Sequence, residues 1–252
     1  MKSTYKKLFF VLSLLLTISC ATQRFVEKVD KLSAADQLLQ KNSEIKEPYK
    51  FTFRQREFAG FPNVYSPVIF PGANKQSDLP VKPGETFLEL GSGTGIFSVT
   101  AALNGAKKVV AIDINPDAVA NTRENARIHQ VSNKLVALQG DMFGPLSETD
   151  RFDVIFFNIP FCHRNNANVK SMLDKSLFDP SHDLLYRFLQ DGKKHLAAGG
   201  RMLLGYSTTH GDLPLMHQWA KENGWNVTLL NKDGDEKKDF ITVELYEFRP
   251  RT

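Results

Sequence analysis

The sequence predicts an α/β domain built on a mostly parallel sheet. Short apolar runs, which are typical of strands buried on both faces, alternate with segments of helical spacing. One run leads directly into a glycine-rich turn that opens a helix, and the next run ends in an acidic residue. A chain of 252 residues is long enough for one well-buried domain of this kind with an appendage, and too short for two full catalytic domains.

The glycine turn carries the first functional signal. Residues 86–90 form a short apolar run that continues into the turn Gly91-Ser92-Gly93-Thr94-Gly95. Glycines at alternate positions let the backbone approach a ligand closely, and the helix start that follows offers free N–H groups. The next strand ends at Asp113, 22 residues after the first glycine. This is close to the spacing of about 20 residues at which an acidic side chain reaches ribose hydroxyls in a dinucleotide fold.

The later segments continue the alternation of strands and helices. A third strand over 135–139 leads to Gly140-Asp141-Met142, and a fourth over 152–157 leads to the tetrapeptide Asn158-Ile159-Pro160-Phe161. Beyond them the sequence predicts a helix that opens within 176–185, runs to His195 and ends at Gly199-Gly200, then a strand over 201–206, a helix over 212–223, and a closing hairpin of 225–230 with 240–248.

The glycine turn and its flanking strand resemble motif I of the class I S-adenosylmethionine (SAM) methyltransferases. In that family an acid at the position of Glu89 and the glycine backbone hold the methionine part of SAM, and a later Asp, here Asp141, accepts from the adenine amino group. An uncharged or cationic ligand end suits Glu89, whereas a pyrophosphate would be repelled. The cofactor-binding residues that the resemblance and the spacing together indicate are Tyr65, Glu89, Gly91, Ser92, Gly93, Thr94, Gly95, Asp113, Ile114, Asp141, Met142 and Asn158.

The tetrapeptide after the fourth strand resembles motif IV of amino-group methyltransferases, [N/D]-P-P-[Y/F], which includes glutamine-N5 and adenine-N6 enzymes and the "methyltransferase small domain" family. The resemblance implies that the Asn158 side-chain oxygen and a backbone carbonyl accept hydrogen bonds from a planar amino group, while the ring of Phe161 stacks on it. Pro160 is retained, but Ile159 stands where the family has proline, so the turn loses the stiffness of a fixed φ. We expect Asn158, Pro160 and Phe161 to form the catalytic set.

The resemblance also implies the full architecture. It predicts a Rossmann-like, seven-stranded, mostly parallel sheet with helices on both faces and an antiparallel last strand, over residues 51–252. SAM would lie across the carboxyl ends of the strands. The segment 61–67 resembles the one that lies over the SAM pocket in the small-domain family, so Tyr65 either lines the pocket or belongs to the core. The methyl acceptor would present an amide or amino nitrogen, in a protein, a nucleobase or a small molecule.

Two other functions compete with this interpretation. An NAD-dependent oxidoreductase would carry its third glycine at residue 96, which is Ile96 here. A non-catalytic envelope protein could keep the fold as a binding module, although Glu89, Asp113 and Asn158 are all intact. No metal site is predicted, because the two cysteines and six histidines lack metal-ligand spacing.

The distribution of charge limits the choice of partner. Residues 1–59 hold 11 of the 32 basic side chains and 6 of the 28 acidic ones, so the rest of the chain is close to neutral. Because nonspecific nucleic-acid affinity comes mainly from basic side chains that displace counterions, the domain carries no strong nucleic-acid footprint.

The N-terminus predicts export. Three lysines precede a short apolar stretch over 8–18, which is typical of a signal peptide. Residues 16–20, which end at Cys20, resemble a bacterial lipoprotein processing site, although Thr17 replaces the usual leucine. We expect a signal segment over 1–20, a charged and partly helical tether over 21–50, and lipid anchoring at Cys20. This favours the bacterial cell envelope over the cytoplasm, which conflicts with the supply of SAM in the cytosol.

Overall fold

The computed structural model describes residues 34–70, 72–162, 168–235, 239 and 241–251. The chain divides into two compact units, Met1–Gln40 and Lys41–Thr252. In the first unit the described residues, 34–40, are helical. The predicted signal segment and Cys20 lie outside the described residues. Among the residues that are described, no helix has both the length and the apolar character that a membrane span needs.

The second unit contains nine strands and six α-helices in its described part. The strands are β1 (Tyr49–Phe53), β2 (Arg56–Gly60), β3 (Thr86–Leu90), β4 (Lys108–Asp113), β5 (Leu135–Gln139), β6 (Phe152–Asn158), β7 (Leu196–Tyr206), β8 (Trp225–Asp233) and β9 (Val243–Pro250). The helices are α1 (Gly72–Lys75), α2 (Ile96–Leu103), α3 (Pro116–Ile128), α4 (Met172–Lys175), α5 (Asp183–Asp191) and α6 (Leu213–Glu222), with short 3₁₀ turns at Pro180–His182 and Gly192–His195.

Seven of the strands form one sheet in the order β5-β4-β3-β6-β7-β9-β8. The pairs from β5 to β7 are parallel, and β9 runs antiparallel to both of its neighbours. The predicted fold class is therefore confirmed. Because the chain leaves β3 towards β4 and β5 and then crosses back to β6, the strand order reverses beside β3. In open α/β sheets such a reversal opens a crevice at the carboxyl ends of the strands.

Both faces of the sheet are covered by apolar side chains. One core lies between one face of the sheet and helices α2 and α3, and its buried residues include Phe97, Val119 and Ala126. The other core joins the opposite face to α5 and α6, through buried residues that include Phe188 and Met216. The strands of the parallel part are consequently apolar on both sides, as the sequence indicates.

The start of the domain lies earlier than the predicted boundary at residue 51. Strand β1 already begins at Tyr49 and pairs with β2 in a separate two-stranded hairpin that the sequence analysis did not predict. The buried side chain of Asn42 donates to the carbonyl of Val64 at 3.0 Å and accepts from the backbone N–H of Ser66 at 2.9 Å. Part of the segment predicted as a tether therefore belongs to the folded domain.

The prediction that Gly199-Gly200 ends a helix is wrong. Helix α5 ends at Asp191, and both glycines lie inside β7, which begins at Leu196. The pairing of β6 with β7 shifts register between Phe152 and Val154, and Gly199 takes a φ of +74° there. Gly199 accommodates this irregularity, because a left-handed backbone conformation strains other residues. At Gly200 a Cβ would lie 2.9 Å from the Ala197 carbonyl oxygen.

Candidate active site

A cavity of about 1110 Å³, which includes solvent at its mouth, opens at the carboxyl ends of β3, β4 and β6. Of the residues predicted to bind cofactor or acceptor, those that line it are Tyr65, Glu89, Gly91, Ser92, Gly93, Thr94, Asp113, Ile114, Asp141, Met142, Asn158, Pro160 and Phe161. Gly95 is the exception. A Cβ at Gly95 would lie 2.8 Å from the Thr122 side chain, so this glycine serves close packing at the start of α2.

The turn between β3 and α2 is built from glycines in the left-handed region. Gly91 and Gly93 have φ values of +63° and +53°. A Cβ at Gly93 would meet no atom within 4 Å, whereas one at Gly91 would lie 3.0 Å from the Phe157 ring. The backbone at Gly93 therefore borders open space in the cavity and can approach a ligand closely.

Asp113 holds this turn in place. Its Oδ2 accepts from the backbone N–H of Gly93 at 2.8 Å, and its Oδ1 accepts from that of Asn115 at 2.9 Å. Burial raises the pKa of the Asp113 carboxyl, although the backbone N–H groups act in the opposite direction. Each carboxylate oxygen has a second lone pair, so Asp113 can brace the turn and still accept from a ligand hydroxyl. Ile114 lies beside it and is 38% exposed.

Glu89 is the buried acid of the cavity wall. Its Oε2 accepts from the backbone N–H of Ser98 at 2.9 Å and from the Ser98 hydroxyl. Burial raises its pKa to about 8, the bonds to Ser98 lower it, and the charge of Asp113 raises it. The carboxyl group is therefore largely protonated near neutral pH in the free protein. A protonated Glu89 carries no charge, so it repels a pyrophosphate less strongly than the ionised carboxylate assumed from the sequence would.

The segment over the cavity is fixed by asparagines that the sequence analysis missed. Asn115 donates through its Nδ2 to the carbonyl of Asn63 at 2.8 Å. Asn121 accepts from the backbone N–H of Phe61 at 2.9 Å. Tyr65 stacks on Phe70 with ring centroids 4.3 Å apart and an interplanar angle of 14°. Tyr65 thus belongs both to the cavity lining and to the packing beneath it, which joins the two alternatives that the sequence left open.

The predicted adenine contact, Asp141, already has a charged partner. Its Oδ2 lies 2.8 Å from an Nη of Arg187, which also pairs with Asp183 at 3.3 Å. The neighbouring Met142 is buried and has a φ of +50°. The Asp141 carboxylate is exposed at the cavity edge, so one of its two oxygens remains available to a ligand donor.

The motif IV tetrapeptide lies against the same cavity. Asn158 is the last residue of β6, and the loop that follows lines the cavity through Pro160 and Phe161. The Phe161 ring packs edge-on to Tyr206 at 6.2 Å and parallel to His210 at 6.3 Å between centroids. These two aromatic neighbours, which the sequence analysis did not select, limit the orientations that the Phe161 ring can take.

One wall of the cavity comes from a segment without a recognisable motif. Met172, Lys175 and Ser176, in and after the single-turn helix α4, line it. Their spacing in the sequence gave no signal, because one turn of helix is too short to show a periodic pattern.

The sheet order, the antiparallel β9 and a cavity shared by motifs I and IV define a Rossmann-like methyltransferase.

Comparisons with known proteins agree with that class. The ribosomal protein L11 methyltransferase family model matches residues 75–161. A Methanocaldococcus jannaschii protein that bears the name of a protein N5-glutamine methyltransferase is 34% identical over 146 residues, or 56% of this chain and 71% of that protein. A release factor glutamine methyltransferase of Aliivibrio fischeri is 26% identical over 71% of this chain and 67% of its own. The structure of M. jannaschii Trm5 with adenosine has a TM-score of 0.59 at 16% identity, over 83% of this chain and 58% of that one.

The chain belongs to the family of SAM-dependent methyltransferases that includes these protein N5-glutamine methyltransferases. It is an enzyme of the N-methyltransferase type, as the sequence analysis predicted. The comparisons give no support to an oxidoreductase or to a non-catalytic binding protein.

Proposed function

We propose that the protein binds SAM in this cavity and transfers the methyl group to the side-chain amide nitrogen of a glutamine in a protein acceptor. One observation carries the proposal: Asn158, Pro160 and Phe161 line the same cavity as the glycine turn and Asp113. The M. jannaschii and A. fischeri relatives, both named for glutamine methylation, support this choice of acceptor.

The residues present fit the cofactor. The open backbone at Gly93 offers a cradle that a Cβ would fill, and Asp113 next to it presents acceptors for ribose hydroxyls. Glu89 lies on the wall near the turn and can gain a negative charge opposite the cationic methionine end. Asp141 and Met142 border the cavity where the adenine would lie, with Arg187 holding the Asp141 carboxylate.

When bound, SAM supplies a methyl group on a positively charged sulfur. The protein must present the acceptor nitrogen to it. The Asn158 Oδ1 and the backbone carbonyl of residue 159 are acceptors that match the two hydrogens of a planar amide –NH₂. Two such bonds fix the plane of the acceptor and favour positive charge on its nitrogen, while Phe161 covers the face of the amide. The carbon–sulfur bond of SAM breaks as the carbon–nitrogen bond forms, and S-adenosylhomocysteine leaves. The methylated nitrogen then loses one proton to solvent at the cavity mouth, so no side chain of the set needs to act as a base before transfer.

A labelled-methyl assay tests the proposal. The full chain is incubated with methyl-labelled SAM and a peptide that contains one glutamine, and with matched peptides that carry asparagine or glutamate instead. We expect label in the glutamine peptide alone, and hydrolysis of the new amide must release it as methylamine. Label in an RNA or small-amine sample incubated in parallel, with none in the peptide, would contradict the acceptor and leave the enzyme class intact.

A matched pair of variants ties the activity to the cavity. Asn158→Ala removes the proposed acceptor contact, whereas Asn226→Ala makes the same change on the exposed side of β8. We expect only the first variant to lose transfer. Equal activity of the two variants would show that the tetrapeptide is an ordinary turn.

A further inference from the structure

Gln76 is a buried amide whose polar atoms are unused. The residue follows helix α1 and is only 2% exposed. Within the part of the chain that the structure describes, neither its Oε1 nor its Nε2 has a hydrogen-bond partner. A buried amide without a partner is costly and uncommon, and each case calls for an explanation.

The backbone of Gln76 is held from both sides. Its N–H donates to the carbonyl of Gly72 at 3.1 Å. Its own carbonyl accepts from the guanidinium of Arg54, in the turn of the β1–β2 hairpin, at 2.6 Å. The backbone at Gln76 is therefore fixed by the fold, so the buried amide does not belong to a loosely held loop.

The Gln76 side chain shares a narrow space with Asn158. A Cβ at Gly205 would lie 2.8 Å from Gln76 Oε1 and would overlap Asn158 Oδ1. Gly205 pairs with Asn158 across β6 and β7. Both amide oxygens thus border Gly205, and a side chain at this point of β7 would displace them.

We propose that Gln76 is a positioning residue for Asn158, and this inference rests on the proposed function. A half-turn of the Gln76 amide about its last side-chain bond exchanges the places of Oε1 and Nε2, so that a donor stands where an acceptor stood. In that orientation Nε2 takes the place of Oε1 beside Gly205, and it donates to Asn158 Oδ1. The second lone pair of Asn158 Oδ1 then faces the cavity and accepts from the acceptor amide.

The chemical consequence is a preorganised Asn158. A free asparagine side chain would have to give up rotational freedom when the acceptor binds, and a fixed one does not. Gln76 is absent from the cavity lining, so it acts through Asn158 and not by contact with the acceptor. Its loss should lower kcat and leave the affinity for SAM unchanged.

The test replaces the amide with an apolar side chain of similar length. Gln76→Leu, with Gln76→Met as a second variant, should lower kcat at least about fivefold, the scale of losing one hydrogen bond. The melting temperature should change little, because the loss of the bond to Asn158 is offset by the removal of a buried polar side chain. The matched control is Gln218→Leu, because Gln218 is an exposed glutamine of α6 that donates to Glu222. This variant should change neither kcat nor the melting temperature. Wild-type kcat in folded Gln76→Leu and Gln76→Met would overturn the inference.

A double-mutant cycle separates positioning from direct contact. If Gln76 acts through Asn158, Gln76→Leu should have no further effect on kcat in an Asn158→Ala background. Multiplied losses in the double variant would instead indicate a contact with the acceptor and would overturn the positioning role.

A measurement without acceptor keeps this inference separate from the proposed function. The side-chain amide signal of Asn158, assigned in ¹⁵N spectra by its disappearance in Asn158→Ala, should shift in Gln76→Leu. An unchanged signal would overturn the contact even if glutamine is methylated. A shifted signal with no methylation of glutamine would support the contact while the proposed acceptor fails.

Discussion

The titration of Glu89 should make SAM binding depend on pH. Burial raises the pKa of this carboxyl to about 8, so it is mostly protonated at pH 7 in the free protein. The methionine end of SAM carries positive charge, which favours the ionised carboxylate, so binding below pH 8 must release a proton. The apparent affinity should then rise by up to about tenfold per pH unit, or about 1.4 kcal/mol, until pH approaches 8.

The control for this prediction is Glu89→Gln. The amide keeps the size of the side chain and cannot ionise, so its SAM affinity should lack this component of the pH dependence and be weaker above pH 8. The amino group of SAM titrates equally in both proteins, so the difference between them isolates Glu89. Calorimetry at pH 7 in two buffers of different ionisation enthalpy counts the protons released. Equal proton release by the wild type and the variant would refute the reasoning.

The same carboxyl makes the stability of the ligand-free protein depend on pH. Its pKa in the folded state is above the ordinary value of 4.5, so the folded state binds the proton more tightly than the unfolded state does. The resulting stability is present below pH 4.5 and is lost as pH rises through about 8. Thermal unfolding without SAM should therefore shift downwards between pH 6 and pH 9 in the wild type and less in Glu89→Gln.

Three other substitutions test the cofactor site, the acceptor site and the N-terminal segment. Asp113→Asn should weaken SAM binding by about 1.5–3 kcal/mol in calorimetry, because one backbone N–H and a ribose hydroxyl lose a charged acceptor; unchanged affinity would contradict the ribose assignment. Asn158→Ala should cost about 2.7–4 kcal/mol of transition-state stabilisation in kcat with SAM affinity within a few-fold. We also propose that the chain is anchored in the envelope by lipid at Cys20. Cys20→Ala should then leave the chain unprocessed or release it from the membrane fraction. Recovery of the wild-type protein in the soluble fraction, with an intact mass that includes Met1, would refute this.

Much of the parallel sheet could be read from the sequence, because its strands are continuously apolar and are bounded by turn residues. Strands β3 and β5 have the ends that the pattern predicts. The residues of motifs I and IV follow those strands directly, so their meeting at one edge of the sheet follows from the parallel order. For these strands and motifs, the local sequence pattern therefore predicts the position in the fold.

The β1–β2 hairpin could not be predicted in the same way. Its turn places Arg54 and Gln55 at φ values of +47° and +63°, a conformation that usually selects Asn-Gly or similar pairs. The strain is offset by tertiary contacts. The Arg54 guanidinium lies 4.7 Å from the centre of the Phe53 ring, pairs with Asp78 and donates to the Gln76 carbonyl. The contacts with Asp78 and Gln76 join residues 24 and 22 positions apart and leave no local signal.

Ile159 shows how the chain meets the family pattern with a different residue. Proline at this position would fix φ, but it would have no N–H, and here that N–H donates to the Gly205 carbonyl at 3.3 Å. The Ile159 side chain is 1% exposed and belongs to the apolar core between the sheet and α5. A hydrogen bond to β7 and a buried side chain therefore hold the turn where the family has its first proline, while Pro160 is retained. Gly205, which accepts this bond, is also the residue that borders Gln76 Oε1 and Asn158 Oδ1. The departure from the motif and the unpaired amide thus belong to one local arrangement of β6 against β7.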